Sequence, residues 1–188
     1  KNDSFGIRVA NNMYMRTDWR DTLYKRILES RLGRSNKYIY SDNDFIFLGK
    51  IVEAISGMPL DKYVEKEFYR PMGLTTAGFK PFEKFALNRV VPTEHEKHFR
   101  QQLLHGDVHD PGSAMFGEVA GHAGLFSNAY DLGMIMQMLL NGGVLNGKRL
   151  LQKETINLFT AYHSKISRRS YGFDKPEKDK KLSPDPYP

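Results

Sequence analysis

The chain has 188 residues, of which 40% are hydrophobic and 27% charged, with no cysteine and a formal net charge of +6. It is long enough for one domain with a real core, and the lack of cysteine excludes disulfides, a cysteine nucleophile and thiolate metal sites. No apolar run approaches the ~20 residues needed to cross a bilayer. Much of the basic excess falls late, at Lys165, Arg168, Arg169, Lys175, Lys178, Lys180 and Lys181, interleaved with Asp174, Glu177 and Asp179. That pattern is a solvated tail rather than a nucleic-acid stripe, so no nucleic-acid partner is expected.

Lys1 to Arg16 shows no clear period and reads as an irregular arm. Trp19, Leu23, Tyr24 and Ile27 recur at helical spacing, predicting a helix from Trp19 to Ser30 with Asp18 as its cap and its end near Gly33. Tyr40-Ser41-Asp42-Asn43-Asp44 supplies cap-type residues and acids for a second helix. In it, Phe45, Leu48, Val52 and Ile55 mark one face, and Ile46, Phe47 and Ile51 add more apolar surface, so this helix should be buried. Gly57 is its natural stop, Pro59 opens the next helix, and Pro71 should end that one.

From Gly73 to Gly124 periodicity is weak, with a short helix expected near Glu94 to Leu104. Ser127 or Asn128 caps a further helix whose buried face is Leu132, Ile135, Met136, Leu139 and Leu140. Leu145-Asn146-Gly147-Lys148 reads as a tight turn, and Lys153 to Tyr162 as a last helix. Val90-Val91 and Tyr171-Gly172-Phe173 are the strand candidates, so the segment is helix-rich. One partial domain is expected over residues 1–164, then a poorly ordered tail over 165–188.

Two segments carry a resemblance. Tyr40-Ser41-Asp42 runs into Phe45 to Gly57, with Pro71-Met72-Gly73-Leu74 after it; this is similar to the Tyr-x-Asn motif, the Leu-Gly-x-Ile-[IV]-Glu helix and the Pro-[LM]-Gly-[LM] turn of serine β-lactamases and penicillin-binding proteins. Gly121-His122-Ala123-Gly124-Leu125-Phe126-Ser127 followed by Asp131-Leu132 resembles the family's Gly-x-x-Gly-Leu-x-Ser segment before a long helix. Val108-His109-Asp110 looks like a stretch of some of its branches. The resemblance implies an α+β fold of the β-lactamase/transpeptidase type, of which this chain covers mainly the helix-rich subdomain. It implies acyl transfer to a serine from a small-molecule or cell-wall peptide or ester substrate, no cofactor, and a periplasmic or extracellular setting. Tyr40 would be the proton shuttle, and Asp42 would occupy the amide-contacting position.

The chemistry suits these residue types, because a phenol becomes a base only when a neighbouring cation lowers its ordinary pKa near 10. Asp42 departs from the asparagine of the motif: an ionised carboxylate accepts hydrogen bonds but donates none. No serine has a lysine three places on, and no Lys-[ST]-Gly or His-Thr-Gly occurs. Both motifs are expected outside this chain, which then is a truncated middle portion, inactive alone. His105 and His109, at i and i+4 with Asp107, Asp110 and His122 near in sequence, would suit zinc on a helix, but Gly106 and Pro111 oppose that helix. No metal is expected; His109 and His122 are instead candidates to line the substrate cleft. Two rival readings are a non-catalytic binding module on the same fold and a histidine-based metal-dependent hydrolase.

Overall fold

The computed structural model describes residues 1–31, 33, 38–165 and 167–176. They fall into two compact units, one of residues 1–31 and 41–132, the other built from 33, 38–40 and 133–176. Residues 166 and 177–188 of the expected tail lie outside the described residues.

The first unit opens with a hairpin where an irregular arm was expected. Strand β1 (Ile7–Ala10) pairs antiparallel with β2 (Met13–Met15), with an irregularity in register at Val9. The Asn11-Asn12 turn makes the reversal, with Asn12 left-handed at φ 55°, a conformation asparagine tolerates. Helix α1 (Trp19–Leu28) stops short of the expected Ser30. Asp18 stands at its N-cap position without capping, because its carboxylate pairs with the Arg16 guanidinium.

Helix α2 (Asn43–Ser56) ends on Gly57 at φ 67°, as its sequence implies. Its burial corrects the expectation: only Ile46 and Gly49 are buried, while Phe45, Leu48, Ile51 and Ile55 are exposed. Periodicity reports where apolar side chains stand, not what covers them. Pro71 also does not end the following helix. After α3 (Leu60–Val64) the chain widens into one π-turn (Glu65–Tyr69) and continues as α4 (Arg70–Met72) to Gly73. The wider turn lets the helix pass a proline, whose ring crowds the preceding turn and which has no N–H to give.

Between Gly73 and Gly124 the expected helix near Glu94 to Leu104 is absent. Two short strands, β3 (Glu94–His95) and β4 (Leu103–Leu104), pair antiparallel there. Glu96 prevents the helix by folding its carboxylate over the amides of His98, Phe99, Arg100 and Gln101. Those bonds, led by Phe99's, hold it down at a pKa of about 2. Val90-Val91 and Tyr171 to Phe173 form no strand. A short helix α5 (Pro111–Met115) and a bridge between Gly78 and Phe126 complete the segment.

Two apolar clusters hold this unit. Val9, Val108 and Ala114 pack with Met13, Met15 and Ala123. Ile46, Phe116 and Ala120 pack with Leu23, Tyr24 and Ile27, with the Tyr24 and Phe116 rings stacked 4.5 Å apart. Burial, with the Glu53 charge next, pushes the Tyr24 phenol up to about 12.

Helix α6 (Ala129–Leu140) starts where expected, capped by Asn128, whose Oδ1 accepts from the Asp131 amide. Its buried residues are Asp131 and Met138, whereas Leu132, Met136 and Leu140 of the expected face are exposed. In the second unit Asn146-Gly147 turns β5 (Val144–Leu145) into β6 (Lys148–Arg149) with both residues at positive φ, the geometry that favours Asn-Gly. Gly143 is required beside it: its φ is 92° and a Cβ would stand 2.0 Å from the Leu151 carbonyl oxygen. Helix α7 (Lys153–Thr160) buries Ile156.

Candidate active site

The site begins with a cap that is not used. Asp42 occupies the N-cap position of α2 with φ −75° and ψ −17°, and its carbonyl oxygen accepts from the Ile46 amide at 2.9 Å. Its side chain makes no capping bond; the Asn43 amide donates to Ser41 Oγ at 3.2 Å instead. The Asp42 carboxylate is therefore exposed and uncommitted among the described residues.

Asp110 does cap a helix. Its Oδ1 accepts from the Ser113 amide at 2.6 Å at the start of α5, and lies 2.9 Å from His122 Nε2. Only 4% of the His122 side chain is exposed, and its Nδ1 is buried without a partner. A proton on Nδ1 would be a buried, unsatisfied donor, so the proton belongs on Nε2, which donates to Asp110.

Gly121 brings this histidine to Asp42. A Cβ there would lie 2.0 Å from the Phe45 carbonyl oxygen and 3.0 Å from the Gly49 amide nitrogen. Only two glycines facing each other let the 120–124 loop rest on the backbone of α2. The result places one ligating atom each of Asp42, Asp110 and His122 within 4.8 Å of one another. Among the described residues this nitrogen-and-oxygen set is the one that could hold a cation. With Nε2–H directed at Asp110, those two are hydrogen-bonded and the Asp42 carboxylate stands beside them. Beside it runs an apolar groove of about 410 Å³, lined by Leu48, Val52, Val64, Tyr69, Phe79 and Leu125, with His122 at its edge.

The other sequence candidates stand elsewhere. His109 is exposed, with Nε2 3.1 Å from a Glu94 carboxylate oxygen rather than facing His122. His105 Nε2 lies 2.6 Å from the Val90 carbonyl oxygen, and residues 105–109 form no helix, so the i, i+4 zinc geometry does not arise. Tyr40, in the second unit, is 67% exposed, with the Arg169 guanidinium 5.2 Å from its ring centroid. Asp110 entered the sequence reading only in the zinc alternative and the Val108-His109-Asp110 stretch, and its role as a cap beside His122 was missed; the signal available was its Asp-Pro pair, a cap followed by a first-turn proline.

Together the hairpin, the helices and the two signature loops define an α+β fold of the β-lactamase/transpeptidase type. The Beta-lactamase family model matches residues 6–186, and the chain belongs to that family. A protein of Escherichia coli (strain K12) named "Putative D-alanyl-D-alanine carboxypeptidase" is 43% identical over 137 residues, covering 66% of this chain and 32% of that protein. One of the same name from Salmonella enteritidis PT4 (strain P125109) is 40% identical over 154 residues, 76% of this chain and 35% of its own length. The chain thus spans about a third of the length of the curated relatives it matches. The D-amino acid amidase of Ochrobactrum anthropi SV3 superposes with a TM-score of 0.54 at 13% identity, over 86% of this chain and 46% of that one. Simvastatin synthase of Aspergillus terreus gives 0.53 at 22% identity, over 79% and 36%. These two share the fold.

Proposed function

We propose that the chain is the helix-rich part of a serine hydrolase that transfers an acyl group from an amide or ester carbonyl to a serine and then to water. Cell-wall peptides ending in a D-amino acid are the substrate class, a reading supported by the names of the relatives. Such a substrate would place the protein in the periplasm or outside the cell. Among the described residues no helix is long and apolar enough to cross a membrane.

The observation that carries this reading is the Asp42 carboxylate, unused as a cap and standing beside the Asp110–His122 pair. As an acceptor it suits a substrate N–H rather than a carbonyl. The groove along α2 would take an apolar side chain next to it. Tyr40, exposed two residues earlier, would pass the proton between nucleophile and leaving group. The nucleophile and its lysine would come from polypeptide preceding Lys1, and the Lys/His-[ST]-Gly strand from polypeptide following Pro188.

The test is labelling of the full-length protein with a fluorescent penicillin or an activated ester. Tyr40→Phe is expected to slow acylation about 100-fold or more, the worth of a positioned proton carrier. Labelling at the wild-type rate removes Tyr40 from the mechanism. A second reading is a non-catalytic module on the same fold, which would lack Ser-x-x-Lys in the full-length protein as well. It predicts that the full-length protein binds the probe reversibly and never acylates.

A further inference from the structure

Beneath the candidate site lies a cluster that the proposed chemistry does not use. Asp107 and Glu118 are both fully buried, and one arginine serves them. Arg8, on β1, donates from Nε and Nη2 to Asp107 Oδ1 at 2.9 and 2.7 Å, and its guanidinium carbon lies over the Phe82 ring, 4.5 Å from the centroid. Glu118 receives much less: its Oε1 is 3.8 Å from Arg8 Nε, beyond hydrogen-bond length, and neither of its oxygens accepts a hydrogen bond from a described residue. Lys80, ahead of the 3₁₀ turn Pro81–Glu83, is the other charge acting on it. The Glu118 backbone is also left-handed, at φ 67°, which a glutamate adopts only when held there.

One arginine cannot neutralise two buried carboxylates, and an ionised carboxylate with no donor is costly to bury. We propose that Glu118 and Asp107 share a proton, and that this proton is the latch that keeps residues 107–124, and with them Asp110 and His122, in their place. With the proton on Glu118, its hydroxyl donates to Asp107, which Arg8 already holds. Without it, two like charges face each other in the interior, and the Phe116–Val119 turn must open to hydrate one of them.

That opening reaches the site through the Ser113–Asp110 cap already described and two further bonds. The Glu118 amide donates to the Ser113 carbonyl oxygen at 2.8 Å. The Ser113 amide donates to Asp110 Oδ1 at 2.6 Å, and Ser113 Oγ donates to the Ala123 carbonyl oxygen at 2.9 Å. Ala123 follows His122, so the base of the segment and its mouth are one hydrogen-bonded piece. Glu118 is a positioning residue in this scheme: it touches no substrate and acts through Ser113 on Asp110 and His122.

Burial, followed by the charge of Asp107, pushes the Glu118 carboxyl up to about 8. In an opened or unfolded chain it titrates near the ordinary 4.5. The closed form therefore holds more protons between those two values. Closure is strongest below 4.5, weakens steadily as pH rises toward 8, and changes no further above that.

The role as regulator of the site rests on the reading of Asp110 and His122 as site residues; the latch itself is tested on this chain without any substrate. Amide hydrogen exchange over residues 107–124, corrected for intrinsic chemical rates, is measured at pH 6 and pH 9. Wild type is expected to lose at least tenfold in protection between the two, and residues 43–56 of α2 much less. Glu118→Gln, whose amide can donate to Asp107 at any pH, should keep its protection at both. Unchanged wild-type protection, or the same loss in Glu118→Gln, overturns the latch. If Glu118→Gln does not fold, carbon NMR of the Glu118 carboxyl in wild type decides: a group already ionised at pH 6 overturns the proposal, and one still protonated there supports it. Failure of the acylation assay with an intact latch would sink the proposed chemistry alone.

Discussion

Alanine at position 121 is expected to cost about 3 kcal/mol or more, because the added methyl meets backbone rather than side chain. Its carbon would sit 2.0 Å from the Phe45 carbonyl oxygen and 3.0 Å from the Gly49 amide nitrogen, so the 120–124 loop must lift off α2 as a unit. For a chain of this length that corresponds to a fall in Tm of roughly 6–12 °C, read by circular dichroism or calorimetry. The natural control is Gly57→Ala. Gly57 is left-handed at φ 67°, yet nothing lies within 4 Å of its would-be Cβ, so only the backbone cost of about 1 kcal/mol is lost. Equal losses at the two positions would mean that the close approach of loop and helix does not exist in solution. Because the same contact delivers His122 to Asp42, the 121 variant should also move the His122 imidazole resonances, and the 57 variant should not.

Asp131→Ala is expected to cost about 3–5 kcal/mol. Asp131 is buried in the first turn of α6, and its Oδ2 accepts three bonds: from the Thr76 amide at 2.7 Å, the Thr76 hydroxyl at 2.7 Å and the Ala77 amide at 3.0 Å. Truncation strands the buried Ala77 amide and leaves the half-buried Thr76 amide and hydroxyl without their acceptor. Burial works against the charge, but the bonds from Thr76, Ala77 and Thr75 outweigh it and hold the carboxyl below the ordinary aspartate value. The native state therefore releases this proton more readily than the unfolded chain. The contribution is complete above the ordinary value and disappears as pH falls through the lowered one. Thermal melts should show wild type losing stability on acidification below about pH 4 more steeply than Asp131→Asn, which keeps an acceptor oxygen but not the charge. A variant pair that melts alike at pH 7 and pH 3 would show that the Thr76–Ala77 turn is not held by this carboxylate.

What the sequence made legible, and what it hid, follows from the range of the forces involved. Helices α2 and α6 were readable because apolar spacing, cap residues and a terminal glycine act within a few residues of one another. The burial of α2 was not, since Leu48, Ile51 and Ile55 would look the same whether covered or bare. The β1–β2 hairpin escaped because its strands are too short to show alternation, although Asn11-Asn12 marked the turn. The supposed helix from Glu94 failed on one side chain: Glu96 claims the amides that a helix would pair with carbonyls.

The site divides in the same way. Asp42 and His122 were candidates in the sequence, and the structure brings them within reach of Asp110, whose pairing with His122 spans 12 residues and shows in no local spacing. Glu118 was equally invisible. Its neighbours Arg8 and Asp107 are 99 residues apart in the chain, and a buried acid looks like a surface one until its surroundings are known.

The ridge of α2 has a consequence for handling. Leu48, Ile51 and Ile55, the last 83% exposed, line up along one helix flank and leave water ordered against hydrocarbon. Sulfate and other excluded salts raise the cost of that wet surface. The polypeptide should thus leave solution at low ammonium sulfate despite its +6 charge, and a single Ile55→Lys change, which breaks the flank and adds a charge, should keep it dissolved to appreciably higher salt.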